Sequence, residues 1–183
     1  MNEKNAIKAD MKLANFKSFP GHDGIGISAK LVYKGIAIAN IYDAAYGGEC
    51  EINALGYATP VYVRNKGMLE ELIERIKKLP AEHNDELDFD MQPDLDFLIN
   101  ELADEMITLN EMKKHFPKGI LYADSPEYED YTIIQWNGSI PSLVRKHGDK
   151  FRDIIKKKVE ELSNQGKFII NREYLIKRQG VKL

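Results

Sequence analysis

A single cysteine, Cys50, stands in the whole chain, so neither an intramolecular disulfide nor a multi-cysteine zinc site can form. Its immediate neighbours are Glu49 and Glu51, which oppose the thiolate that a nucleophile needs, so a structural cysteine is expected. The four histidines, His22, His83, His115 and His147, show no H-x-x-x-H or similar spacing. No metal site and no cofactor are therefore expected. No apolar run approaches the roughly 20 residues needed to cross a bilayer. Residues 1–10 (MNEKNAIKAD) are polar without an apolar centre, which predicts a flexible N-terminus and neither a signal peptide nor an anchor. A cytoplasmic location follows. Internal repeats, low-complexity tracts and long linkers are also missing.

What is present is an ordinary globular composition, 43% hydrophobic and 30% charged over 183 residues. One domain of that length buries a core without cross-links. The net charge is only −3, but it is unevenly spread. Residues 81–112 hold eleven Asp or Glu and no Lys or Arg, whereas residues 143–183 hold twelve Lys or Arg against five Asp or Glu. Such asymmetry points to partners more than to fold.

Alternation of apolar and polar residues predicts strands over residues 11–19, 25–33 and 36–42, with Ile25, Ile27, Ala29, Leu31 and Tyr33 on one face. Lys34-Gly35 reads as the tight turn between the last two. Residues 49–55 and 59–63 add one or two further strands. Helical spacing follows in Leu69, Leu72, Ile73, Ile76 and Leu79, stopped by Pro80, and again in Leu95, Leu98, Leu102, Met106 and Leu109. Residues 128–136 are rich in β-formers, and Asn137-Gly138 is a hairpin signal. A third helix carries Phe151, Ile154, Ile155, Val159 and Leu162, with Asp149 as N-cap and Gly166 just beyond its end. Residues 167–176 predict a final strand. The expectation is an α+β fold in a single domain. Its parts are a β-meander over 11–65, an acidic helical segment over 66–116, and a hairpin, basic helix and final strand over 117–183.

Two glycine clusters, Gly21 to Gly26 and Gly47-Gly48, fit neither a Walker loop nor a dinucleotide fingerprint, and no helix follows to receive a phosphate. They read as turns, the first also as a loop able to touch a partner through His22 and Asp23. The acidic run is the more unusual feature. From residue 82 to residue 105 there are ten carboxylates and no cation. Asp85, Glu86, Asp88, Asp90, Asp94 and Asp96 would create a strongly negative surface suited to a basic groove, with Phe89, Met91 and Phe97 as apolar anchors. Asp94 and Asp96 also lie where carboxylates favour a helix start. The D-x-D pairs lack the glycine and the terminal Glu of an EF-hand loop. In the basic helix, Lys150, Lys156, Lys157 and Lys158 could contact phosphates, yet Asp153, Glu160 and Glu161 dilute them.

The segment carrying Asn15, Phe16, Lys17, Ser18, Phe19, Gly21, Asp23, Gly24 and Gly26, then Gly47 and Gly48, resembles small proteins carried by phages and mobile elements of gut bacteria. The stretch KHGDKFRDII is similar to a helix start in the same group. The likeness covers about fifty N-terminal residues. It implies a context, since short phage proteins without catalytic motifs include inhibitors of host defence such as anti-CRISPR proteins. Those block the nucleic-acid path of an effector nuclease. The leading expectation is therefore a non-enzymatic inhibitor in the host bacterial cytoplasm, binding a host protein complex such as an RNA-guided nuclease through the acidic run and the His22–Asp23 loop. A nucleic-acid-binding accessory protein working through the C-terminal lysines is the second. An enzyme whose site is assembled from His22, Asp23, Asp43 and Glu49 is the third.

Overall fold

In a computed structural model of the chain, Lys34 and Gly35 both take positive φ, 49° and 77°, as the central residues of a type I′ hairpin turn require. Residues 2–84, 88–125 and 130–183 are described, and they fall into two compact units, Met1–Ile107 and Thr108–Leu183. The fold is α+β.

The first unit begins with helix α1 (Glu3–Asp10), where a flexible N-terminus was expected. Asn2 caps it by accepting from the Asn5 N–H at 2.8 Å, and Ile7 is fully buried. Strands β1 (Met11–Pro20), β2 (Ile25–Tyr33), β3 (Ile36–Asp43) and β4 (Glu51–Ala54) follow as an antiparallel meander in sequential order. Ile27, Ala29, Leu31 and Tyr33 line the core as the alternation predicts, while Ile25, at the strand's end, is exposed. A bulge between Ala14 and Lys17, with Asn15 at φ 54°, bends the edge strand.

The strand expected over residues 59–63 is instead the start of helix α2 (Pro60–Ile76). Thr59 Oγ1 accepts from the Tyr62 N–H at 3.4 Å and Pro60 takes the first helical position. This cap outweighs the β-propensity of Val61 and Val63. Within the acidic run, β5 (Glu82–Asn84) pairs with β6 (Phe89–Met91) as a short hairpin. Helix α3 (Leu95–Lys113) opens where predicted, with Asp94 Oδ1 accepting from the Phe97 N–H at 2.8 Å. The apolar sides of α1, α2 and the start of α3 pack with the sheet around Leu31, Tyr33, Ile41, Leu72, Ile76 and Leu98. Each such buried side chain stabilises the fold by about 1.5–3 kcal/mol.

In the second unit, β7 (Gly119–Ala123) lies between β8 (Thr132–Gln135) and the two-residue β9 (Phe168–Ile169), all antiparallel. Asn137-Gly138 does not close a hairpin between strands. Trp136 and Gly138 form one isolated bridge, and Ser139 then caps α4 (Ile140–His147), accepting from the Ser142 N–H at 3.4 Å. Gly148, at φ 58°, separates α4 from α5 (Asp149–Asn164). Asp149 is the first residue of α5 and not its cap, and its carboxylate pairs with Arg152 at 2.8 Å. Gly166, at φ 76°, follows the helix end as predicted, and the Lys167 N–H returns to the Leu162 carbonyl.

The predicted final strand survives only as β9, before helix α6 (Arg172–Gln179). The cause is Asn171. Its buried side chain accepts from the Leu121 N–H at 3.1 Å and donates to the Gly119 carbonyl at 2.8 Å, supplying to β7 the bonds that a longer strand would have made. Ile120, Phe151, Ile155, Val159, Leu162 and Leu175 form this unit's core. No helix among the described residues is long and apolar enough to cross a membrane.

Candidate functional site

The two glycine clusters, more than twenty residues apart in sequence, meet at one end of the four-stranded sheet. The Gly21 N–H donates to the Gly24 carbonyl and the Asp23 N–H to the Ala45 carbonyl, both at 2.8 Å. A Cβ on Gly21 would stand 2.6 Å from the Ala44 oxygen, so only glycine allows this approach. Asp43 Oδ1 accepts from the Ala45 N–H at 2.7 Å, which fixes the turn of the second loop whose Ala45 carbonyl the Asp23 N–H meets. Below them, the Phe19 ring crosses Gly26 to stack on Tyr42, with centroids 5.9 Å apart. A side chain at Gly26 would displace that ring, and its Cβ would lie 2.8 Å from the Asp43 oxygen.

His22 and Asp23 share a 2.8 Å contact between Nδ1 and Oδ1, and the His22 ring lies 5.6 Å from that of Tyr46. Both members of the pair are more than half exposed. Beside it is a shallow depression of about 140 Å³ bordered by Tyr42, Asp43, Ala44, Tyr46, Gly48, Glu49 and Glu51. The tyrosines are 45% and 73% exposed. Of the groups gathered here, His22, Asp23, Asp43 and Glu49 are legible in the sequence reading, whereas Tyr42, Tyr46 and Glu51 are missed. The signal for them is the span of residues 35–63, which holds four tyrosines and three carboxylates but no Lys or Arg.

The acidic run has cations after all, supplied by α1. Lys4 Nζ lies 2.7 Å from both Glu82 and Glu101, and over the Phe97 ring at 4.7 Å. Lys8 Nζ reaches Glu105 at 2.6 Å and Glu101 Oε2 at 3.2 Å. Burial alone would lower both ammonium pKa values, but hydrogen bonds to these carboxylates outweigh it and raise them. Asp94 caps α3, and Asp96 accepts from the Cys50 N–H at 2.9 Å and from Asn100 Nδ2 at 3.2 Å. Asp90 contacts His83 Nδ1 at 3.0 Å, and Asp88, almost fully exposed, lies 3.7 Å from the other ring nitrogen. Phe89 is half exposed. Asp85 and Glu86 lie outside the described residues. Asp88, Phe89 and Asp90 thus form an exposed patch, while Glu82, Asp94, Asp96, Glu101 and Glu105 serve the fold.

Cys50 is buried against Asn100, with Sγ 3.9 Å from Oδ1. Burial, and next the hydrogen bond with Asp96, push its thiol far above the ordinary range, which suits a structural role. No group of three His, Cys, Asp or Glu among the described residues is placed to hold a metal ion. On α5, Lys156 pairs with Glu160 at 3.8 Å and Lys158 with Glu161 at 2.9 Å. Lys150 and Lys157 carry no ion pair among the described residues.

Fold and site together define an α+β protein with an acidic, aromatic loop end. No family model, curated protein or solved structure matches the chain.

Proposed function

We propose that this chain is a non-catalytic binding protein that covers a basic surface of a partner, acting as a phage-type inhibitor of a host nucleic-acid-processing complex. One observation carries the reading. The loop end of the sheet gathers exposed aromatic rings and Asp23 with Asp43, Glu49 and Glu51, and the span of residues 35–63 that carries the last three holds no Lys or Arg. Tyrosine-rich surfaces are common at protein interfaces, and exposed carboxylates attract the basic channels that hold nucleic acid. Asp88, Phe89 and Asp90 add a second acidic patch with an apolar anchor. The resemblance to small phage proteins supports the choice of target, an effector of the RNA-guided nuclease kind in the bacterial cytoplasm.

Charge reversal tests it. Glu49→Lys and Glu51→Lys combined with Asp88→Lys and Asp90→Lys should abolish capture of such a complex from host lysate, with circular dichroism unchanged. Asp94 and Asp96 are left intact because they hold α3 and the Cys50 backbone. Equal capture by the reversed variant, or capture of no nucleic-acid-processing complex, refutes the reading. The surplus of cations in the second unit, fifteen Lys or Arg against ten Asp or Glu, supports a second reading as a nucleic-acid binder. Direct binding that Lys150→Glu and Lys157→Glu remove would establish it.

A further inference from the structure

We propose that the depression between Tyr42 and Tyr46 is a socket for an arginine side chain of the partner; this rests on the binding reading above and specifies what its principal site takes. Several carboxylates of the first unit have cations within the fold: Glu71 has Lys34, Asp10 has Arg75, Glu82 and Glu101 have Lys4, and Glu105 has Lys8. Glu49 and Glu51 border the depression and have no such partner among the described residues. Beside them stand two exposed tyrosine rings, each steadied by a second ring, Tyr42 by Phe19 and Tyr46 by His22. The charge missing from the site is positive, and the surface beside the carboxylates is aromatic.

A guanidinium group meets both demands, because it stacks on aromatic faces and forks onto carboxylates. An ammonium group is more strongly hydrated and gains less in an open site that cannot strip its water. A volume of about 140 Å³ equals four or five waters at about 30 Å³ each, room for a guanidinium head and its last methylenes. Phosphate-bearing ligands are repelled by the same carboxylates. The Asp23 N–H donates to the Ala45 carbonyl and the Ala45 N–H to Asp43 Oδ1, so the loop backbone beside the depression is held by bonds within the chain.

The test uses the full chain with two peptides of equal charge, four Gly-Arg repeats and four Gly-Lys repeats, followed by NMR. The arginine peptide should shift the Tyr42 and Tyr46 ring signals and bind about two- to fivefold more tightly than the lysine peptide. Tyr46→Ala should erase that preference. Glu49→Gln with Glu51→Gln should weaken both peptides about tenfold, and should leave the thermal midpoint unchanged or higher because repulsion is relieved. Equal affinity for the two peptides, or shifts confined to residues 82–96, overturns the socket. If the Gln pair and Tyr46→Ala leave partner capture intact, the socket is wrong and the binding reading rests on the Asp88–Asp90 patch alone. If the peptides behave as expected but no complex is captured, the socket stands and the inhibitor reading fails.

Discussion

Asp96 belongs by sequence to a run of surface charge, yet its carboxylate accepts the Cys50 N–H and ties the loop before β4 to α3. Asp96 also bears on the thiol, second to burial. Burial and Asp96 raise the Cys50 pKa, so the folded state holds the thiol proton more tightly than the unfolded chain does. That contribution to stability is whole below the ordinary thiol value of 9.0 and is lost as the pH rises above it. The thermal midpoint of the wild-type chain should therefore fall more steeply above that pH than the midpoint of Cys50→Ala. Parallel slopes would show that the thiol is not coupled to folding. At Gly26 the sequence shows a glycine within a strand, and the structure supplies its reason in the Phe19 ring lying across it.

Helix α1 is an element that propensity alone does not sustain, since eight residues are too few for a stable isolated helix. It buries Ile7 and is tied down on its polar side: Lys4 and Lys8 to the acidic run, Glu3 and Asp10 to Arg75. The Arg75 guanidinium also donates to the hydroxyl of the fully buried Tyr33 at 2.8 Å. Part-exposed ion pairs contribute about 0.2–1 kcal/mol each, so Lys4→Gln with Lys8→Gln should destabilise the first unit by about 1–2 kcal/mol. Hydrogen exchange should show the α1 amides losing protection first. If their protection survives both substitutions, Ile7 holds the helix without the lysines. The helix at residues 60–76 carries a further lesson, because Thr59-Pro60 is a legible helix start that Val61 and Val63 disguise as a strand.

Over the whole chain, the two compact units divide the charge. The first holds eleven Lys or Arg against nineteen Asp or Glu, a net −8, and the second carries +5. A partner engaged through the first unit should associate faster at low ionic strength. Raising salt from about 0.05 to 0.5 M, which shortens the Debye length from about 14 Å to about 4 Å, should slow association at least about tenfold. Stopped-flow mixing with the captured complex measures it. A rate indifferent to salt would place the contact on apolar surface instead.

The linear chain determined the α+β class, the first three strands, the Lys34-Gly35 turn and the bodies of α2, α3 and α5. Each is written in periods of two or of three to four residues, or in turn residues whose φ is locally constrained. Tertiary structure decided what those periods do not encode. It brought Lys4 and Lys8 to carboxylates 78 and 97 residues away, let the Asn171 side chain replace a stretch of strand, and set the two glycine loops side by side. Glu82, Asp94, Asp96, Glu101 and Glu105 of the acidic run thereby serve the fold, and among the described residues Glu49 and Glu51 stand without a cation at the depression beside Tyr42 and Tyr46. Pairing between distant side chains depends on where the folded backbone carries them, and no local pattern holds that information.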